Sequence, residues 1–245
     1  MALHLGSGAI AALYLGATEV TKAYLGSTVV LEPAAGGAVD VVDASPTTQQ
    51  GSGTSINTTY TAGAGSNRMV VIMGVNFNGS GPGTLSATMG GQAFTVEGTI
   101  AHVGGFEGMF LAVIREADIP SGSQTVTLTS TTSDSLGFSV FTIENAHQSN
   151  AIVYAAAGDN GNVATDDITP TAADSLIVGA ATDSSTGASL AWSATLADYG
   201  TTLAVNGTQD FLAGQASGLA ASAQTCTYTG FVQRYFIQLA AFEPA

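Results

Sequence analysis

Two runs in this 245-residue chain, Met69-Val70-Val71-Ile72-Met73-Gly74-Val75 and Leu176-Ile177-Val178-Gly179-Ala180-Ala181, are apolar without alternation. A strand with one wet face alternates, whereas a run with no polar position needs cover on both faces. Each run follows a short polar lead-in, Ser66-Asn67-Arg68 or Ala173-Asp174-Ser175, and the two lie about 107 positions apart. That spacing points to two similar halves, as in a double Greek-key jelly roll. The closing stretch from Phe231 to Leu239 alternates well enough for a central strand and is expected to return to the sheet near its start.

Elsewhere, extended segments such as Thr54–Tyr60, Leu85–Met89, Gln124–Thr129 and Leu136–Glu144 recur between turn signals. The turns are rich in Gly, Asn and Ser, as in Asn78-Gly79-Ser80-Gly81-Pro82-Gly83. No segment carries sustained helical periodicity with caps. The expected fold class is all-β: a short N-terminal β-repeat module over residues 1–36, then a jelly-roll-like antiparallel β-sandwich over residues 37–245. Pro33-Ala34-Ala35-Gly36-Gly37, small and uncharged, reads as the hinge between them.

Charge narrows the partners. Four Lys+Arg stand against 18 Asp+Glu, a formal net charge of −14. Nucleic acid is excluded, because binding there depends on neutralising phosphates with basic side chains. An anionic membrane surface repels such a chain for the same reason. The lone Cys226 permits neither an intrachain disulfide nor a thiolate metal site. Residues 1–18 contain no charged side chain and no basic n-region, and Gly6, Ser7 and Gly8 interrupt the apolar run. Neither a signal peptide nor a spanning helix is expected there.

The N-terminus repeats with a period of ten. Leu3-His4-Leu5-Gly6-Ser7-Gly8-Ala9-Ile10, Leu13-Tyr14-Leu15-Gly16-Ala17-Thr18-Glu19-Val20 and Ala23-Tyr24-Leu25-Gly26-Ser27-Thr28-Val29-Val30 align without a gap. Each unit has an apolar stretch, a Gly followed by a small residue, and a second short stretch, the pattern of two strands about a tight turn. Strands this short bury little by themselves, so the segment needs a partner. The expected assembly face is Leu5, Tyr14, Leu15, Tyr24 and Leu25, with burial of this ladder as its mechanism.

The second and third units resemble the repeated YLGST-x-V units that open many tailed-bacteriophage virion proteins: head or tail fibres, spikes and decoration proteins. The first unit departs from the pattern, with His4 for Tyr and Gly8 for the second Thr. The resemblance spans about 30 residues. It implies attachment to other virion proteins of capsid or tail, self-association as a trimer, and a place in the virion after synthesis in the host cytoplasm. The layout of the larger segment is similar, in pattern only, to the jelly-roll domains of phage fibres.

Residues that could carry chemistry are scattered. His4, His102 and His147 have no Gly-x-Ser-x-Gly elbow to serve. Glu97, Glu107, Glu116 and Glu144 lie in or beside expected strands and could pair across a cleft as glycosidase carboxylates do. Asp159-Asn160-Gly161-Asn162 with Asp166-Asp167 is the densest set of oxygen ligands, but it misses the EF-hand register, and an Asx-rich turn explains it equally well. Trp192 with Tyr199 could form a sugar platform, or Trp192 could point into the core. The expectation is a non-enzymatic structural virion protein with no catalytic residue, cofactor or metal, presenting its sandwich to the particle surface or a host glycan. The alternative is a stand-alone carbohydrate-binding module of a cell-surface or secreted protein.

Overall fold

The structure, a computed structural model, describes residues 14–15, 18–19, 23–25, 28–31, 37–101, 107–159, 163–183, 191–205, 209–229 and 235–245. The chain forms two compact units, Met1–Gly37 and Ala38–Ala245. In the first unit, β1 (Tyr14–Leu15) pairs with β2 (Thr18–Glu19), and β3 (Ala23–Leu25) pairs with β4 (Thr28–Leu31). Both pairs are antiparallel.

The second unit is an all-β, antiparallel stack of sheets. After the short β5 (Asp40–Val41) come β6 (Thr47–Thr61), β7 (Met69–Phe77), β8 (Leu85–Met89), β9 (Gln92–Ala93), β10 (Thr95–Ala101), β11 (Glu107–Arg115) and β12 (Ser123–Glu144). Then follow β13 (Val153–Asp159), β14 (Val163–Ile168), β15 (Ser175–Asp183), β16 (Ala191–Ala194), β17 (Ala197–Val205), β18 (Gln209–Leu219), β19 (Gln224–Thr229) and β20 (Tyr235–Phe242).

These strands repeat one winding twice. The inner sheet of the first half runs β10-β11-β7-β12-β6, and that of the second runs β17-β18-β15-β20-β13. The outer sheets run β8-β12-β6 and β16-β19-β14. If β6 and β12 are each taken as two strands, every strand position in one half except the short β5 and β9 has its counterpart in the other. Pairing first with last, second with second-last and third with third-last is how a jelly roll winds. The expected β-sandwich is present, and it is built as two such rolls back to back.

In the first half a single strand pair turns the corner between layers. β12 is 22 residues long and shifts register against β6 between Thr129 and Asp134. Gly53, opposite Asp134, takes φ of +122°, a conformation open to glycine and strained for other residues. In the second half the residues between β13 and β14 and between β19 and β20, 160–162 and 230–234, lie outside the described residues.

Three apolar layers fill the stack. Met69, Val71, Met73, Leu111 and Val113 from one inner sheet meet Leu176, Val178, Phe211 and Phe236 from the other. Ile72, Phe110, Leu128 and Phe138 fill the first roll; Ile177, Leu212, Tyr228 and Leu239 fill the second. β7 and β15 are buried at every position because both their faces are covered, which is why neither alternates in sequence. β20 is a central strand, but it lies between β13 and β15 of its own half instead of returning to the start of the domain. Each roll closes on itself, and the bridge between Ala146 and Pro244, with backbone hydrogen bonds from His147 N to Glu243 O and from Ala245 N to Asn145 O (2.8 Å each), ties the C-terminus to the end of the first half.

The halves meet reciprocally: β10 touches β13, and β17 touches β6. Close approach at these contacts uses Gly98 beneath the Tyr154 ring and Gly200 beneath Pro46. Tyr199 Oη donates to the carbonyl of Asp43 (3.0 Å), whose carboxylate accepts from Tyr60 Oη (2.6 Å) and Thr142 N (2.7 Å). One residue ahead of the first roll thus ties it to the second.

Inside the second roll, a Cβ on Gly214 would stand 2.7 Å from Trp192 Cδ1, with no room to retreat in a packed core. Gly214→Ala is expected to cost about 1–3 kcal/mol by urea unfolding, as overpacking does. Gly79→Ala, with no atom within 4 Å of the added carbon, should stay within about 0.5 kcal/mol of wild type.

Candidate functional site

Four of the five expected assembly residues, Tyr14, Leu15, Tyr24 and Leu25, fall on the two N-terminal hairpins. Tyr14 pairs with Glu19 and Leu15 with Thr18; Tyr24 pairs with Val29 and Leu25 with Thr28. The second and third repeats therefore fold alike, with Tyr one step and Leu next to the two-residue connection in both. Leu5, His4 and the turn residues Gly16 and Gly26 lie outside the described residues, as does His102.

In the second unit, the acidic candidates are occupied by structural work. Arg68 Nε and Nη2 both donate to Glu116 Oε1 (2.9 and 2.7 Å), and the backbone N–H of Arg68 donates to Oε2. These hydrogen bonds hold the Glu116 carboxyl below the usual range, against a smaller opposing effect of burial. Glu97 pairs with Arg115 at 3.2 Å. Both arginines of the described residues are thereby held by glutamates. Glu107 is buried, and the side chain of Glu144 lies against Gly65. His147 Nδ1 accepts from the backbone N–H groups of Ser149 (3.3 Å) and Asn150 (3.2 Å), closing a turn.

The acidic stretch near residue 160 is strand, not loop, at its far end. Asp166 and Asp167 are successive residues of β14, so they point to opposite faces. Asp167 accepts from Thr225 Oγ1 (2.6 Å) on the outer face, and Asp166 is opposite the buried Cys226. Burial, then the neighbouring Asp167 charge, push the Asp166 carboxyl up, while the Asp167 backbone N–H pulls it down. Burial raises the Cys226 thiol to about 12, with Asp166 and Asp167 adding to the shift. Among the described residues no group of three or more His, Cys, Asp or Glu side chains is placed to hold a metal ion.

Trp192 and Tyr199 form no common platform. Trp192 is in the second roll, packed on Tyr228 with centroids 4.9 Å apart. Tyr199 is in the layer between the halves, edge-on to Phe141 at 5.2 Å. Trp192 is on β16 of the outer sheet and Tyr199 on β17 of the inner sheet, and their rings pack in different apolar layers, a separation that needs the strand pairing to be seen.

Two features have no counterpart among the sequence candidates. The first is a pocket of about 200 Å³ at the mouth of the first roll, lined by Asn76, Pro82, Thr84, Thr99, Ile100 and Gly108. Asn76, fully buried, donates through Nδ2 to Gly83 O and Asp134 Oδ2 (2.7 Å each), while its Oδ1 has no hydrogen-bond partner. Asp134 also accepts from Ser130 Oγ, Thr132 Oγ1, Asn78 Nδ2 and Gly83 N. Burial works to raise its carboxyl, but these donors outweigh it and hold Asp134 below the usual range.

The second feature is an outer layer without charge. From Ala44 to Asn67, from Met69 to Val96 and from Ile119 to Ser133 the sequence has no Asp, Glu, Lys or Arg. Ser55, Asn57 and Thr59 face Thr129, Thr127 and Thr125 across the strand pair, and Ser86 and Thr88 extend two of those rows. Val96 is the large hydrophobic side chain left exposed among the described residues, so this surface is hydroxyl-rich, not apolar. These exposed hydroxyl and amide side chains carry little burial signal, which is why only the charge count could have flagged them.

No protein-family model matches the chain, and no curated protein matches it significantly. Among solved structures, HutD from Pseudomonas fluorescens SBW25 (formate condition) is similar over 77% of this chain and 74% of that one, with 16% identity and a TM-score of 0.24. Among the described residues no helix is long and apolar enough to cross a membrane.

Because the folded-state carboxyl of Asp134 titrates below its unfolded value, its contribution is present above the ordinary aspartate range and lost as pH falls through and below it. Asp134→Asn is expected to lower stability at pH 7 by about 1–3 kcal/mol and to shrink the further loss between pH 5 and pH 3. Urea midpoints at the three pH values check this, and an acid loss unchanged by the substitution would count against it.

Proposed function

We propose that this chain is a structural protein of a tailed-phage virion, attached to the particle or to sister chains through its N-terminal repeats. The double jelly roll is then the body presented to the particle surface or to a host glycan. The observation that carries this reading is the identical hairpin register of the two Tyr-Leu-Gly repeats. A four-residue strand at most cannot bury an apolar face by itself, so the hairpins need a partner surface.

Light scattering on the full chain and on a version starting at residue 37 tests the assembly role. The full chain is expected to reach a higher association order, and Tyr14→Ala with Tyr24→Ala should reproduce the truncation. Equal order for both proteins would sink self-assembly through the repeats and leave docking onto another virion protein.

The pocket at Asn76 favours a second reading, a carbohydrate-binding module. Its unpartnered Oδ1 calls for a hydroxyl or amide donor, and Pro82 and Ile100 offer apolar contact. Saturation-transfer NMR with neutral monosaccharides checks it: Gly108→Val, whose Cβ would stand 2.5 Å from Asn76 Oδ1, is expected to abolish any signal seen with wild type.

A further inference from the structure

The outer edge of β6 is the one place where the two halves differ in a way that bears on association. β6 is paired with β12 along one side, and among the described residues no strand pairs with its other side. An open edge of this kind presents a row of backbone donors and acceptors to any extended chain, and proteins usually guard it with charge, proline or a bulge. The matching strand of the second roll, β14, is guarded: Asp166 and Asp167 fall on it. Asp166 moreover takes an inward position, opposite Cys226, a placement that discourages a second strand from docking.

From Ser55 to Thr61, where its register with β12 is continuous, β6 has none of these devices. Its residues from Thr47 to Thr61 include no charge and no proline, and the flanking charges are Asp43 and Arg68. Asp43 is engaged by Tyr60 and Thr142, and Arg68 by Glu116. The inward positions of this edge hold Ile56, Thr58 and Tyr60, where β14 holds Asp166 and Ile168. Gly53 bends the strand, so the straight portion available for pairing is Thr54–Thr61, with Ser55, Asn57, Thr59 and Thr61 exposed.

We propose that the Thr54–Thr61 edge pairs antiparallel with the same edge of a second copy of this chain. The net charge of −14 selects that occupant's route of approach. Two such chains repel wherever their acidic surfaces face each other, and the outer layer of β6, β8, β9 and the first part of β12 is free of charge. A two-fold pairing of β6 joins the two outer layers into one continuous sheet. It also places the like charges of the partners beyond the contact, where salt screens them over about 10 Å at 0.1 M. This contact is independent of the N-terminal repeats and of the virion reading.

Amide hydrogen exchange on the full-length chain, followed through about a hundred-fold dilution, tests the edge directly. Alternate amides of Thr54–Thr61 are expected to be protected at high concentration and to lose protection on dilution. Thr58→Asp, which copies the guard of β14, should abolish that concentration dependence and weaken self-association at least about ten-fold by sedimentation. Thr59→Lys, on the exposed face, provides the same block if circular dichroism shows that Thr58→Asp does not fold. Protection at these amides that ignores concentration, whether high because another part of the chain covers the edge or low because nothing does, overturns the proposal. So does concentration-dependent protection that survives in a folded variant.

Discussion

The layer between the two inner sheets is the constraint on which the rest of the second unit depends. Each inner sheet is apolar on both faces, so a single roll would expose Met69, Val71 and Met73, or Leu176, Val178 and Phe211, to water. A fully buried side chain of this kind contributes about 1.5–3 kcal/mol relative to exposure, and the layer contains many. Neither half could close its account with solvent alone. The back-to-back stack, the reciprocal contacts of β10 with β13 and β17 with β6, and the tie from Tyr199 to Asp43 all follow from covering that surface.

Polar groups in the stack are placed to hold turns and corners. Asp134 gathers donors from Asn76, Asn78, Gly83, Ser130 and Thr132, and so joins the β7–β8 turn to the bend in β12. Arg68 and Glu116 secure the entry to β7. Both described arginines are committed in this way, so neither guanidinium is left free for a partner. Under the readings proposed above, recognition uses backbone, hydroxyl or amide groups, at the Asn76 pocket and the β6 edge.

The likeness of the two rolls makes their differences informative. The same edge is acidic on β14 of one half and neutral on β6 of the other. A structural virion component uses its surfaces for assembly more than for turnover, and unequal edges on equal frames suit that work. The N-terminal hairpins supply a second, separate means of attachment under the same proposal.

How much of this was legible in the residues depends on where each strand lies. β7 and β15 were visible because double burial leaves an unbroken apolar run in each, Met69 to Val75 and Leu176 to Ala181, and their spacing exposed the two halves. The hairpins were visible because the repeat places Gly between short stretches twice over. β14, β17 and β19 were missed: their exposed positions are Thr, Asp, Gly and Ala, which give no apolar alternation, and only pairing makes strands of them. The Asn76–Asp134 cluster was invisible because its members are 58 positions apart. The sequence by itself determined that the chain is all-β, that its central strands are buried on both sides and that it has two halves, because those properties reside in local pattern. Tertiary structure alone decided that the halves stand back to back, that Trp192 and Tyr199 part company, and that one edge is left open, because strand pairing joins residues whose distance along the chain carries no signal.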